Sequence, residues 1–163
     1  MYLQMGIAFP NERFQIRKYS DKSIAPMFCL AKDNPPSQVN FIVISMENLG
    51  FWCQAIFQMG HEMTHAAIHY NSPSNARSTA WIEETICEAM ALFCLNVFAC
   101  NWERIQLAEI NPDYASQIEK YLRNELSKNG NNKLSLCCSY EELKQINTTS
   151  QEQREQRKNE MHT

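Results

Sequence analysis

The sequence predicts an α+β fold: a small antiparallel or mixed sheet from the first 45 residues packs on one helix, and a helical C-terminal half follows. Three observations predict it. Phe41-Ile42-Val43-Ile44-Ser45 is rich in β-branched residues and reads as the strongest strand in the chain. Between Trp52 and Tyr70, the residues Trp52, Ile56, Met59, Met63, Ala66 and Tyr70 recur at alternating steps of four and three, which makes one apolar helical stripe. From Ile82 to Cys100 the chain is nearly all apolar apart from Glu83, Glu84, Glu88 and Asn96, the pattern of a helix buried all round.

In order along the chain, short strands are expected at Tyr2–Ala8, Arg13–Tyr19 and Met27–Ala31, with Asp33-Asn34-Pro35-Pro36 as a break before the Phe41–Ser45 strand. The first helix is expected over residues 49–70. Asn71-Ser72-Pro73-Ser74-Asn75 ends it, and Ser78 or Thr79 caps the second. Gly60 weakens the first helix, and close approach of another backbone is a reason to keep it. Asn111-Pro112-Asp113 opens a third helix with Tyr114, Ile118, Tyr121, Leu122 and Leu126 facing inward. Asn129-Gly130 turns the chain, and Ser139-x-x-Glu142 is a capping box for a short helix. Residues 148–163 are polar and lack an apolar period, so 1–147 reads as one domain and 148–163 as a solvated tail.

Fifteen Lys and Arg against eighteen Asp and Glu give a net charge of −3 over 163 residues, which argues against a nucleic-acid or anionic-membrane partner. Residues 1–10 lack the basic start and long apolar region of a signal peptide, and the longest apolar run, Ala89–Leu95, falls well below the ~20 residues that span a bilayer. The expectation is a cytoplasmic protein. Its seven cysteines are odd in number and lack a C-x-x-C spacing. Cys87, Cys94 and Cys100 read as small apolar residues of the second helix, and Cys137-Cys138 as thiols near a chain reversal.

The chemistry concentrates at His61-Glu62-Met63-Thr64-His65. Histidines four apart on a helix lie one turn apart on the same face, a geometry that suits Zn²⁺. Glu62 sits about 100° around the helix from His61, within reach of a metal-bound water without being a ligand. Gln54, Gln58, His61 and His65 fall opposite the apolar stripe, so the ligands are expected to face a cleft. His69 has rotated about 80° off the His61 line and reads as a surface or outer-sphere histidine.

A third ligand must come from elsewhere. The metzincin spacing is excluded, because Asn71 stands where its third histidine belongs and Ile68 where its glycine belongs. Eighteen residues separate His65 from Glu84. H-E-x-x-H followed at that interval by Glu resembles the zinc signature of gluzincin metallopeptidases, and Trp81-Ile82-x-Glu84 is similar to the Trp-Leu-x-Glu of the aminopeptidase N-like family. The resemblance spans residues 55–90. It implies a zincin-like fold, Zn²⁺ held by His61, His65 and Glu84, and Glu62 as general base. In thermolysin-like relatives an acid four residues after the ligand Glu orients a ligand histidine, and Glu88 stands there; it is also the rival third ligand. Glu83 is expected to point to solvent. The Gly-x-Met-Glu-Asn motif of aminopeptidases is missing, with Met46-Glu47-Asn48 a fragment of it.

The expected function is hydrolysis of peptide bonds in a protein or peptide substrate by a zinc-activated water, with Glu62 moving the proton to the leaving amine. Tyr114, Tyr121, Tyr140, His69 and His162 are all candidates to hold the oxyanion. In gluzincins an edge strand beside the active-site helix pairs with substrate; Phe41–Ser45 fits that role or that of a central strand. The small size is similar to ImmA/IrrE-type zinc proteases, which implies an alternative: a regulatory protein that binds or cleaves a repressor or other protein partner. A non-catalytic zinc domain is the third reading.

Overall fold

A computed structural model describes residues 14–20, 25–31, 39–48, 50–71 and 80–128. Three strands, β1 (Phe14–Tyr19), β2 (Met27–Cys29) and β3 (Asn40–Ser45), form one mixed sheet in the order β1-β3-β2. β1 runs parallel to β3, with Ile16 opposite Ile42, and β2 runs antiparallel to it, with Phe28 opposite Ile42. Helices α1 (Trp52–Asn71), α2 (Ala80–Cys100) and α3 (Ala115–Lys128) follow, with three short 3₁₀ turns between α2 and α3. The α+β expectation is met. The expected strand at Tyr2–Ala8, the break at residues 33–36, the Ser78/Thr79 cap, the Asn129-Gly130 turn, the Ser139–Glu142 box, Cys137-Cys138 and the tail lie outside the described residues.

β3 is buried along its whole length, paired with β1 throughout on one edge and with β2 over Phe41–Val43 on the other. Ile42, Ile44 and Met46 alternate onto the face that meets α1, where they pack with Ala55, Met59 and Met63. Full burial of each such side chain contributes about 1.5–3 kcal/mol. The central position corrects the reading of Phe41–Ser45 as a substrate-pairing edge strand: β1 pairs it along its length, β2 pairs it over Phe41–Val43, and Gln58 takes Ser45.

Beyond Val43, where β2 ends, a side chain replaces the missing strand. Gln58 of α1 accepts from Ser45 N (2.9 Å) and donates to Ser45 O (2.8 Å), so one amide satisfies both backbone groups of a buried residue. This clamp sets the position of α1 against the end of the sheet.

The second packing layer joins the helices. Cys53, Leu95, Trp102, Tyr114 and Ile118 form its buried centre, with Trp52, Ile56 and Phe57 of α1 against it. Trp102 stacks on Trp52 at 5.6 Å and donates its indole N–H to Asn111 O. α1 therefore carries two packing faces, one for the sheet and one for the helices. The single stripe ending at Tyr70 is corrected: Tyr70 is exposed. Leu126, expected inward on α3, is exposed as well, and Glu125 beside it is buried.

Gly60 lies where α1 and α2 cross. A Cβ there would meet Cys94 Sγ at 3.1 Å and the Ala91 Cα at 3.2 Å. The close backbone approach expected of this glycine is present, and it lets α2 come near enough for its acidic end to reach the α1 histidines. α2 itself is not buried all round. Cys87, Ala91 and Leu95 form one covered stripe, whereas Ile82, Ile86 and Phe93 are exposed. A run without period holds no information about which face a neighbour covers.

Candidate metal centre

Residues His61, Glu62 and His65 occupy the middle of α1, and Glu83, Glu84 and Glu88 the first turns of α2. Helix spacing alone places His61 over His65. The crossing at Gly60 then brings α2 alongside them. His61 Nε2 and His65 Nε2 are 3.1 Å apart, and Glu84 Oε2 lies 3.3 Å from the first and 3.5 Å from the second.

This triangle can be tested against a metal. Nitrogen and oxygen ligands bound tetrahedrally at about 2.0–2.2 Å lie about 3.3–3.6 Å from one another. The three sides match that spacing to within a few tenths of an ångström. Two imidazoles and one carboxylate leave a fourth position open, the donor set of catalytic rather than closed structural sites. His61, His65 and Glu84 thus can hold a metal ion.

The groups behind the triangle are also placed. Glu88 Oε2 stands 3.7 Å from His61 Nδ1, on the side of the ring away from the triangle. That is where an orienting carboxylate is expected, although the distance is beyond a direct hydrogen bond. Glu83 does not point to solvent as its place on the helix suggested. Its Oε1 lies 2.5 Å from His65 Nδ1 and 2.9 Å from His69 Nε2, and its side chain is 16 % exposed. Phe28 of β2 stacks on the His65 ring at 5.7 Å and meets His69 at 5.0 Å. The sequence held a signal for this grouping: histidines at 61, 65 and 69 continue one helical series, and adjacent acids at 83 and 84 suffice to meet two atoms of one ring.

Nor do the ligands look out into an open cleft. His65 is buried and His61 half-buried, because the face opposite Met59 and Met63 meets α2. Glu62 is buried too, and its charge acts on both histidines. Burial alone would depress the His61 pKa. The nearby carboxylates of Glu84 and Glu88 and the charge of Glu62 outweigh it and raise the group to about 9. For His65 burial again acts downward, and the bonds to Glu83 and Glu84 turn the net shift upward. The site is a concentration of negative charge that favours a cation, proton or metal, among its nitrogens.

The tyrosine candidates divide. Tyr114 is core: its hydroxyl reaches Gly50 O at 3.2 Å and accepts from Cys53 N. Tyr121 is half-buried against Phe57 and beside Glu125, with burial first and Glu125 second raising its pKa. Tyr140 and His162 lie outside the described residues. A groove of about 550 Å³, walled by Met46, Phe51, Gln54, Gln58 and Tyr121, opens along α1 one and two turns before His61. None of the three candidate ligands lines it, so it lies beside the centre and not over it.

Among the described residues, no helix is long and apolar enough to cross a membrane. No family model, no curated protein and no solved structure matches this chain.

Proposed function

We propose that the protein is a zinc-dependent peptidase. One observation carries the reading: His61 Nε2, His65 Nε2 and Glu84 Oε2 form a triangle of metal-ligand dimensions beside a buried carboxylate, Glu62, that is not part of it. Zinc fits the donor set of two imidazoles and one carboxylate better than magnesium or calcium, which favour all-oxygen sites. Bound there, zinc supplies Lewis acidity to a water and to the substrate carbonyl. Glu62 takes the proton of the attacking water at its carboxylate and delivers it to the leaving amine. A structural centre has no use for such a group. The substrate class, a protein or peptide, follows from the gluzincin resemblance of the His61–Glu84 constellation. The five described cysteines are all free, which accords with a reducing cytoplasm.

Glu62→Gln separates binding from chemistry. Unfolded-protein or peptide-mixture hydrolysis should fall at least ~100-fold while zinc content is retained. Hydrolysis at the wild-type level in Glu62→Gln would end the peptidase reading.

A further inference from the structure

We propose that Glu83, itself held by His69, is a positioning residue that fixes which nitrogen of His65 faces the metal. The inference rests on the metal-site reading above. It gives a role to Glu83, which the sequence places at solvent, and a specific partner to His69.

Three observations support it. First, Glu83 Oε1 is 2.5 Å from His65 Nδ1 and 2.9 Å from His69 Nε2. An ionised carboxylate only accepts hydrogen bonds, so both facing nitrogens carry their protons. His65 Nε2 is then the lone-pair nitrogen, and it is the atom that meets His61 and Glu84. Adjacent residues of α2 thereby meet opposite sides of one ring, Glu84 at Nε2 and Glu83 at Nδ1. Their separation of about 100° around the helix makes this possible.

Second, His65, His69 and Glu83 form a group that could itself hold an ion. The 2.5 and 2.9 Å contacts of Glu83 Oε1 are, however, shorter than the ~3.3–3.6 Å between ligand atoms sharing one, and fit hydrogen bonds. The number of ions per chain decides between the two. Third, Phe28 stacks within 17° of parallel on His65 and packs on His69, so β2 walls both rings against rotation. Among the described residues, the outer nitrogen of the other candidate ligand, His61 Nδ1, is approached by Glu88 at 3.7 Å. The tighter hold on this centre therefore comes from the residue directly before the ligand Glu84, not from the one four after it.

Zinc affinity, measured by competition with a chromophoric chelator, and the visible spectrum of the Co²⁺ form test this in the full chain. Glu83→Leu should weaken zinc binding about 10–100-fold, the range for loss of an outer-sphere partner, and shift the Co²⁺ bands. Glu83→Gln, which keeps an acceptor oxygen, should recover most of that loss. His69→Phe, which keeps a ring against Phe28, should weaken zinc less than Glu83→Leu does. A merely structural role would lower the melting temperature and leave the spectrum of the folded fraction unchanged. If Glu83→Leu does not fold, Glu83→Gln and His69→Phe decide by the same two readouts. Wild-type affinity and spectrum in the Glu83 variants and His69→Phe alike would overturn the positioning role and leave the metal site standing. Two ions per chain, one of them lost in His69→Phe, would also overturn it by making Glu83 a ligand. A wild type that binds no metal overturns both.

Discussion

His61 Nε2 and His65 Nε2 face each other across 3.1 Å, with one oxygen of Glu84 against both. Two imidazole nitrogens and a carboxylate oxygen close to that spacing around a shared proton. Under the metal-site proposal a divalent ion takes that proton's place. The first three predictions follow from that exchange and from the helix crossing that creates it.

Metal binding should stabilise the fold, because the triangle joins two helices and exists only in the folded chain. Free zinc at 100 times its dissociation constant should add about 2.7 kcal/mol. For a chain of this size that is a rise in melting temperature of roughly 5–11 °C. Thermal melts with and without zinc check it, and His61→Ala should show no zinc-dependent shift.

Metal-free protein and zinc affinity should respond to pH in opposite directions. The His61 pKa is raised from 6.5 to about 9 in the folded chain. A raised folded pKa contributes stability that is fully present below the unfolded value and is lost as pH rises through the folded one. Chelator-treated protein should therefore lose stability between about pH 6.5 and 9, by urea midpoint, and His61→Gln should flatten that slope. Zinc competes with the same proton, so its affinity should climb over the same interval. A metal-free urea midpoint that rises across this window would contradict the assignment.

Gly60 should be intolerant of even one methyl group. Gly→Ala in a helix interior gains about 0.8–1.0 kcal/mol of propensity, but overpacking costs about 1–3 kcal/mol. Here the Cβ would meet Ala91 Cα at 3.2 Å, a backbone that moves only if all of α2 moves. Gly60→Ala should lower both the urea midpoint and the zinc affinity, because displacement of α2 carries Glu84 away from the histidines. Gly60→Val should lower both further. Stability lost with unchanged zinc affinity would show that the crossing does not set the site.

The clamp on Ser45 predicts a cost without any change in metal binding partners. Gln58→Leu removes the 2.9 Å bond to Ser45 N–H and the 2.8 Å bond to Ser45 O, leaving the carbonyl the longer 3.4 Å bond from Gln54. Each bond lost costs about 0.5–1.5 kcal/mol. Chemical denaturation should show a loss in that range, and zinc stoichiometry should stay at the wild-type value.

What the sequence made legible is what local periodicity determines. The four-residue step places His61 over His65 whatever surrounds them, the β-branched run at 41–45 makes β3, and a glycine before the first ligand marks the helix crossing. Glu84 became legible through its interval from His65. The rest depended on how two helices cross, which no local pattern encodes. Glu83 and Glu84 are neighbours in sequence, and only the angle of α2 against α1 turns the first toward His65 Nδ1 and His69. The same holds for the faces of α2, where an unbroken apolar run conceals that Cys87, Ala91 and Leu95 are covered while Ile86 and Phe93 are not. The buried run on β3 fitted two roles equally, and the neighbours β1 and β2 decided for the central one. Trp102 escaped notice because it sits in a 3₁₀ turn, outside any helical or strand period.

The most direct test of the metal centre is elemental analysis of protein purified without added zinc, in the wild type, Glu84→Ala and Glu88→Ala. A three-residue centre predicts about one zinc per chain, lost in Glu84→Ala and largely kept in Glu88→Ala. A wild type that holds no zinc even after supplementation, or a Glu84→Ala variant that holds it as firmly as the wild type, would contradict the account.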